Sequence, residues 1–122
     1  MSTAIGLDLV DVRRFAAVLE RRTGMRLRLF TEGELSYAMA TVDSDTRLAA
    51  RFAAKEAVMK VLGVGLGACK FRDIEVIRHP DGRPELVLHG LAAKRAAAAG
   101  LADWQVSLSH TDSVAAAMVL AQ

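Results

Sequence analysis

The feature that most constrains this chain is a helix-forming stretch that runs into glycines, RFAAKEAVMKVLGVGLG, at residues 51–67. A helix advances by about 100° per residue, so Leu48, Phe52, Met59 and Leu62 fall within one apolar arc. An arc of this kind is normally buried against the rest of a fold. We therefore expect a long amphipathic helix on which the other elements pack.

Charged side chains lie unusually close to this apolar arc. Lys55 falls inside it, where an ammonium group normally occurs only if it snorkels to solvent or has a partner. Glu56 lies at the edge of the arc, one turn before Lys60. A Glu and a Lys at this spacing stabilise an exposed helix by about 0.2 to 0.5 kcal/mol. A solvated ion pair and a functional site therefore both explain this pair.

Glycines follow the helix at a spacing that indicates a special backbone conformation. Gly63 is predicted to end the helix, and Gly65 and Gly67 allow the backbone to approach a bulky or negatively charged group. Cys69, the only cysteine, follows this turn. Without a matching histidine nearby, we interpret it as a packing residue rather than a nucleophile.

Length, composition and charge limit the classes of protein that are possible. A length of 122 residues predicts one domain, 1–122, large enough to bury a core. Apolar residues make up 52% but aromatic residues only 5%, so we expect a core of Ala, Val and Leu and a tendency to self-associate. A net charge of +2 does not favour general binding to nucleic acid or membranes. The lone cysteine and the lack of a signal-like start predict a cytoplasmic protein.

An acidic residue interrupts the first predicted strand, which covers Thr3 to Val10. Asp8 alternates with Leu7 and Leu9, so its side chain points to the other face of the strand. On the strand alone, Asp8 is equally well interpreted as part of a site or as an ordinary acid of an edge strand.

A cluster of basic residues follows this strand. Asp11 is predicted to cap a helix from Val12 to about Arg22. Guanidinium groups bind carboxylates or phosphates in pairs, so the cluster predicts an acidic partner. A solvated face of a basic protein is the alternative. Six arginines lie within sixteen residues: Arg13, Arg14, Arg21, Arg22, Arg26 and Arg28.

The remaining patterns predict an α+β fold with an antiparallel sheet. Thr31 and Glu34 match a capping box for a short helix that ends near Ala40, and Ser44 or Asp45 is expected to cap the long helix. His110 lies in a predicted turn, where it either meets a ligand or is simply exposed. Three further elements are predicted: a hairpin over residues 73–88 that turns at Asp81–Gly82, a helix over Leu91–Ala99 and a hairpin over residues 104–120 that turns at 110–113.

Five segments in one order resemble the holo-acyl carrier protein synthase type of 4′-phosphopantetheinyl transferase, and together they span nearly the whole chain. The resemblance implies a small α+β fold that assembles as a homotrimer with active sites between subunits. It also implies transfer of the phosphopantetheine arm of coenzyme A to a serine of apo acyl carrier protein, with release of adenosine 3′,5′-bisphosphate. The segments are GLDLV at 6–10, RFAAKEAVMKVLG at 51–63, FRDIEV at 71–76, GRPEL at 82–86 and SLSHT at 107–111.

The resemblance also implies roles for individual residues. Asp8 and Glu56 become ligands of Mg²⁺, and Lys60 contacts phosphate or assists proton removal. The general base stays open between Glu56 and a water on the ion. Coenzyme A is implied to contact Arg51, Lys60, Gly63, Gly65 and His110, and the carrier protein is implied to contact Arg13, Arg14, Arg21, Arg22 and Arg28.

One region departs from the commoner pattern of this family, and one alternative function remains. In GMRLRLFTEGELSYAM, at 24–39, Gly33 sits inside the short helix and Met25 stands where an aromatic residue is frequent. This departure leaves open which carrier protein is preferred. The alternative is a non-catalytic module that binds an acidic protein or a nucleotide. Such a module gains nothing from carboxylates at Asp8 and Glu56 beside an anion, so these two residues discriminate between the readings.

Overall fold

The computed structural model, which describes residues 3–65 and 67–122, confirms an α+β architecture. The five-residue helix α2 and a 3₁₀ turn at Phe71–Asp73 were not predicted, because such short segments carry too little periodicity. The elements in chain order are β1 (Ala4–Asp11), α1 (Val12–Arg21), α2 (Met25–Leu29), α3 (Glu32–Met39), α4 (Ser44–Leu62), β2 (Ile74–Arg78), β3 (Pro84–Leu88), α5 (Gly90–Ala98), β4 (Trp104–His110) and β5 (Val114–Ala121).

The strands form two antiparallel sheets, as both predicted hairpins require. One sheet has three strands in the order β1-β5-β4, and the other is the hairpin β2-β3. Asp8 lies opposite Ala117 in the pairing of β1 with β5. Helix α4 packs across one face of the three-stranded sheet, as its apolar arc predicts.

Gly6 sets how closely α4 approaches β1. A Cβ atom at this position would lie 2.3 Å from the carbonyl oxygen of Ala57, a distance that no side chain tolerates. Glycine therefore allows strand and helix to touch through their backbones. Since Asp8 is two residues further along the strand, it faces the same helix.

Lys55 is fully buried, and its predicted need for a partner is confirmed. Its Nζ donates hydrogen bonds to Glu34 Oε1 at 2.8 Å, to the carbonyl oxygen of Phe71 at 3.0 Å and to that of Ile74. Burial lowers the pKa of Lys55, and the carboxylate of Glu34 opposes this shift. The other oxygen of Glu34 accepts the amide N–H of Val76 at 2.9 Å. One ion pair thus ties α3 and β2 to α4.

Two predicted helix caps are confirmed. Asp11 accepts the amide N–H of Arg14 at 2.9 Å and caps α1. Thr31 and Glu34 form the predicted capping box at the start of α3. Glu34 therefore serves both the cap and the buried ion pair.

The predicted cap of the long helix is wrong. Neither Ser44 nor Asp45 is the N-cap, because α4 begins at Ser44, one or two residues earlier than expected, and both residues lie in its first turn. Asp43 is the N-cap, but its side chain makes no capping hydrogen bond. Its carboxylate accepts instead from Arg47 Nε at 3.1 Å, one turn further along the helix.

The face of the three-stranded sheet that points away from α4 is apolar and uncovered. Ile5, Leu7, Leu9 and Met118 lie on it, each between 50% and 66% exposed. Exposed apolar surface of this kind indicates contact with another surface. Among the described residues, no helix is both long and apolar enough to cross a membrane.

Candidate active site

Asp8, Glu56 and Lys60 meet where β1 contacts α4. Lys60 Nζ donates to Asp8 Oδ1 at 2.9 Å and to the carbonyl oxygen of Leu7 at 2.8 Å. Within the described part of the chain, Glu56 has no salt bridge of its own. Lys60 therefore does not form a surface ion pair with Glu56, because its ammonium group bonds to Asp8, 52 residues away in sequence.

The environment of Glu56 favours the protonated form of its carboxyl group more than solvent favours that of an exposed glutamate. Burial of the side chain and the nearby charge of Asp8 raise the pKa of Glu56, and Lys60 opposes this shift. Two partly desolvated carboxylates in one place attract a cation, and a carboxylate with a raised pKa is a better proton acceptor near neutral pH. The arrangement suits metal binding and proton transfer.

The donor set at this place fits Mg²⁺. In the described residues, no group of three or more His, Cys, Asp or Glu side chains comes together. Mg²⁺ is usually held by one or two carboxylates and fills its remaining positions with water and substrate phosphate. Asp8 and Glu56 supply such a pair, and their mutual repulsion is what a bound cation would relieve.

Arg51 and His110 line a cavity of about 310 Å³ elsewhere in the molecule. The prediction that His110 lies in the turn is wrong, because His110 is the last residue of β4 and pairs with Ala115 of β5. Arg51 is only 3% exposed, and its Nε has no hydrogen-bond partner within the described part of the chain. Its Nη1 donates to the carbonyl oxygen of Arg47 at 3.3 Å. Burial lowers the pKa of the Arg51 guanidinium, while Tyr37 and Glu34 partly oppose the shift. A buried cation without a paired carboxylate is suited to an anionic ligand.

The glycine turn lies beside the carboxylate centre rather than the cavity. Gly63 ends α4 in the left-handed conformation, with φ of 67°, and its N–H donates to the carbonyl oxygen of Lys60. The predicted helix end is therefore confirmed. Gly65 follows two residues later, and an added Cβ there would meet none of the other described residues within 4 Å. The end of α4 therefore has room for a ligand at Gly65, and the role of Gly65 in binding stays a prediction.

The predicted site residues form two groups that lie apart from each other within a single chain. Arg51 and Lys60 are nine residues apart on α4, which is about 900° and places them on opposite faces of the helix. Asp8 lies on β1 and His110 on β4, the two outer strands of the sheet. The packed helix and sheet separate the carboxylate centre from the cavity.

Comparisons with known proteins decide the family. A family model described as "ACPS: 4′-phosphopantetheinyl transferase superfamily" matches residues 4–118. The chain belongs to this superfamily. It is therefore an enzyme of the phosphopantetheinyl transferase type.

Relatives in this superfamily match over nearly the full length. The holo-[acyl-carrier-protein] synthase of Frankia casuarinae is 49% identical, with 97% of this chain and 95% of that protein covered. The synthase of the same name from Moorella thermoacetica is 43% identical, with 96% and 91% covered. Among solved structures, the ACPS–CoA complex of Chronobacterium ammoniagenes superposes with a TM-score of 0.88 at 28% identity and covers 100% of this chain and 98% of its own.

The arginine cluster of this transferase is exposed. Helix α1 buries Val12, Phe15 and Leu19 and turns its arginines to solvent. None of the cluster's side chains pairs with a carboxylate among the described residues. Their charge is thus available to a partner. The exposed members are Arg13, Arg14, Arg21, Arg22 and Arg28.

Sequence reasoning did not place Arg47, Tyr37 and Arg78 at this cavity, although all three line it. Arg47 precedes Arg51 by four residues, so helical spacing alone could have placed it on the same face. Tyr37 and Arg78 lie on α3 and β2. No periodic pattern links them to α4, because their proximity depends on how these elements pack.

Proposed function

We propose that this chain transfers the 4′-phosphopantetheine arm of coenzyme A to a serine of an apo acyl carrier protein in a Mg²⁺-dependent reaction that releases adenosine 3′,5′-bisphosphate. The observation that carries the proposal is the pairing of Asp8 and Glu56 beside Lys60. The names of the relatives and the coenzyme A complex of a structural neighbour support this substrate pair.

The residues at the carboxylate centre each have a chemical task in this reaction. Asp8 and Glu56 would hold Mg²⁺, which screens the pyrophosphate and stabilises the leaving group when it is bound. Lys60 lies within 2.9 Å of Asp8 and would place its ammonium on a phosphate oxygen. Glu56, with its raised pKa, is the candidate acceptor of the serine proton.

The transfer itself is one substitution at phosphorus. The serine oxygen forms a bond to the β-phosphorus of coenzyme A while the bond from that phosphorus to the bridging oxygen breaks. Adenosine 3′,5′-bisphosphate leaves with the bridging oxygen, and the proton of the serine hydroxyl passes to the base. Catalysis of this kind depends on positioning and electrostatics, which are what the centre provides.

The separation of the two groups of site residues supports an active site shared between copies. The cavity with Arg51 and His110 would contribute phosphate contacts from one copy, and a neighbouring copy would contribute Asp8, Glu56 and Lys60. The uncovered apolar sheet face is a surface through which copies can associate. We propose a homotrimer, in which the number three follows from the family resemblance.

Two experiments test this function. Apo acyl carrier proteins, coenzyme A and Mg²⁺ are incubated with the protein, and the carrier is weighed by mass spectrometry for the gain of one phosphopantetheine group. Asp8→Asn is the matched control. No gain on any carrier of an acidic panel would contradict the proposal.

The shared site is tested by mixing two inactive variants. The two variants Arg51→Ala and Asp8→Asn are produced together in one cell, and the mixture should recover about a quarter of wild-type activity. About one site in four then combines an intact Arg51 from one copy with an intact Asp8 from its neighbour. Each variant alone should stay inactive. A mixture without recovered activity would contradict a shared site.

A further inference from the structure

Tyr37, Arg51 and Arg78 form a wall between two neighbouring cavities. They line the cavity of about 310 Å³ that contains His110 and also a smaller one of about 170 Å³. The smaller cavity reaches Gly33 and Glu75. The position of this wall therefore sets the shape of the basic cavity.

The guanidinium groups of Arg51 and Arg78 both pack against the ring of Tyr37. The guanidinium carbon of Arg51 lies 4.4 Å from the ring centroid, and that of Arg78 lies 5.4 Å from it. Both distances fall within the range of a cation–π contact. Among the described residues, neither arginine forms a salt bridge with a carboxylate. The aromatic ring orients the two cations without neutralising them. Apart from the Nη1 group of Arg51, which donates to the carbonyl oxygen of Arg47, their N–H groups can bind an anion.

The turn of the β2-β3 hairpin leaves room for Arg78 at this place. Gly82 has φ of 94°, a conformation that favours glycine. A Cβ atom at Gly82 would lie 3.3 Å from Nη2 of Arg78. The guanidinium of Arg78 is thus held between the turn backbone and the ring of Tyr37.

We propose that Tyr37 is a positioning residue for Arg51 and Arg78, and that Arg78 is an additional phosphate-binding residue of the coenzyme A site. This inference rests on the function proposed above. Arg51 is 3% exposed, and its Nε has no hydrogen-bond partner among the residues that the structure describes. The ring and the hydrogen bond from Nη1 to the carbonyl oxygen of Arg47 together fix the plane of this guanidinium relative to the more exposed Arg78.

Four variants test the positioning role. Tyr37→Leu removes the ring, and Tyr37→Phe keeps it. Arg78→Ala removes one guanidinium, and Arg83→Ala removes an equal charge from the same hairpin outside both cavities. We measure kcat, KM for coenzyme A and KM for the carrier protein. We also measure the Kd of adenosine 3′,5′-bisphosphate by calorimetry, which requires no turnover.

The contacts made through the ring set the expected size of the effect. Tyr37→Leu and Arg78→Ala should raise KM for coenzyme A and the Kd of the bisphosphate by about tenfold, in line with the loss of cation–π or charged hydrogen-bond contacts. Tyr37→Phe and Arg83→Ala should stay within about twofold of wild type, since the ring is retained and the control charge lies outside the cavity. The kcat and the KM for the carrier should change little in all four variants.

The outcomes separate this inference from the proposed function. Equal losses in Tyr37→Phe and Tyr37→Leu, or a loss confined to kcat, would overturn the positioning role. If Tyr37→Leu does not fold, the comparison of Arg78→Ala with Arg83→Ala decides, and equal bisphosphate affinity in those two overturns the assignment of Arg78. If the wild type transfers nothing but Tyr37→Leu still weakens binding of the bisphosphate, the proposed reaction is refuted and the positioning role of Tyr37 is supported.

Discussion

Replacement of Lys55 by methionine should strongly destabilise the fold. Methionine has a similar length but no charge, so the change leaves the carboxylate of Glu34 buried without its cation. Both side chains of this pair are 0% exposed. The carbonyl oxygens of Phe71 and Ile74 also lose a hydrogen bond from the ammonium group. The segment that leads from the glycine turn into β2 would lose its tie to α4.

The burial of the pair sets the expected magnitude. Removal of one partner from a buried ion pair costs about 3 to 5 kcal/mol, a large part of the about 5 to 15 kcal/mol that stabilises a typical domain. With a urea dependence of about 1 to 3 kcal/mol per molar for small proteins, the unfolding midpoint should fall by about 2 M. The assay is urea unfolding followed by circular dichroism, with every variant at one protomer concentration because association also stabilises the folded state.

Two further variants make this prediction specific. Lys60→Met removes the same group from the same helix, but the Lys60 side chain is 55% exposed, so its free energy of unfolding should change by only about 0 to 1 kcal/mol. Lys55→Met combined with Glu34→Gln removes both charges, and the double variant should be more stable than Lys55→Met alone. A loss below about 1 kcal/mol in Lys55→Met, or a double variant with additive losses, would refute the reasoning.

Three predictions concern the site. Glu56→Gln should lower turnover by about 10² or more, with partial recovery at high Mg²⁺ or with Mn²⁺. If the dependence of the rate on metal concentration is unchanged in both Glu56→Gln and Asp8→Asn, these two residues do not bind the metal. Arg14→Glu, alone or with Arg21→Glu, should raise KM for the carrier far more than KM for coenzyme A, and this difference should shrink as salt is added. Equal effects on the KM of both substrates would show that the arginine cluster does not bind the carrier. The pKa of Glu56 is raised in the folded state, so metal-free protein should lose stability as the pH rises from 4.5 through that pKa, because the folded state holds the proton to higher pH than the unfolded state. Urea unfolding with a chelator should show this fall in the free energy of unfolding with pH in wild type. An equal dependence on pH in Glu56→Gln would exclude Glu56 as its source.

Sequence patterns predicted the elements better than the contacts between them. The apolar arc and Gly63 predicted α4 and its end, since both signals are local. Lys55 was recognised as a residue in need of a partner, yet Glu34 was interpreted only as a capping residue. It lies 21 positions away, and no spacing rule connects α3 to the middle of α4.

The carboxylate centre shows the same limit. Strand alternation predicted the face of Asp8, and helical spacing predicted that Glu56 and Lys60 are neighbours. Local spacing also suggested that these two pair with each other, whereas Lys60 bonds to Asp8. The cause is Gly6, which brings β1 so close to α4 that the lysine reaches the strand. A tertiary contact therefore overrides the i,i+4 preference, which is worth only about 0.2 to 0.5 kcal/mol.

Helix α4 explains why assembly belongs to the proposed mechanism. Its faces are covered by the sheet, α1 and α3, so a ligand that reaches Arg51 cannot pass through this packing to Lys60. The Asp8–Lys60 contact forms within one chain, and it should survive when copies separate. Dissociation would therefore leave the carboxylate centre and the cavity each intact and still abolish transfer, because neither copy alone presents both to one coenzyme A molecule.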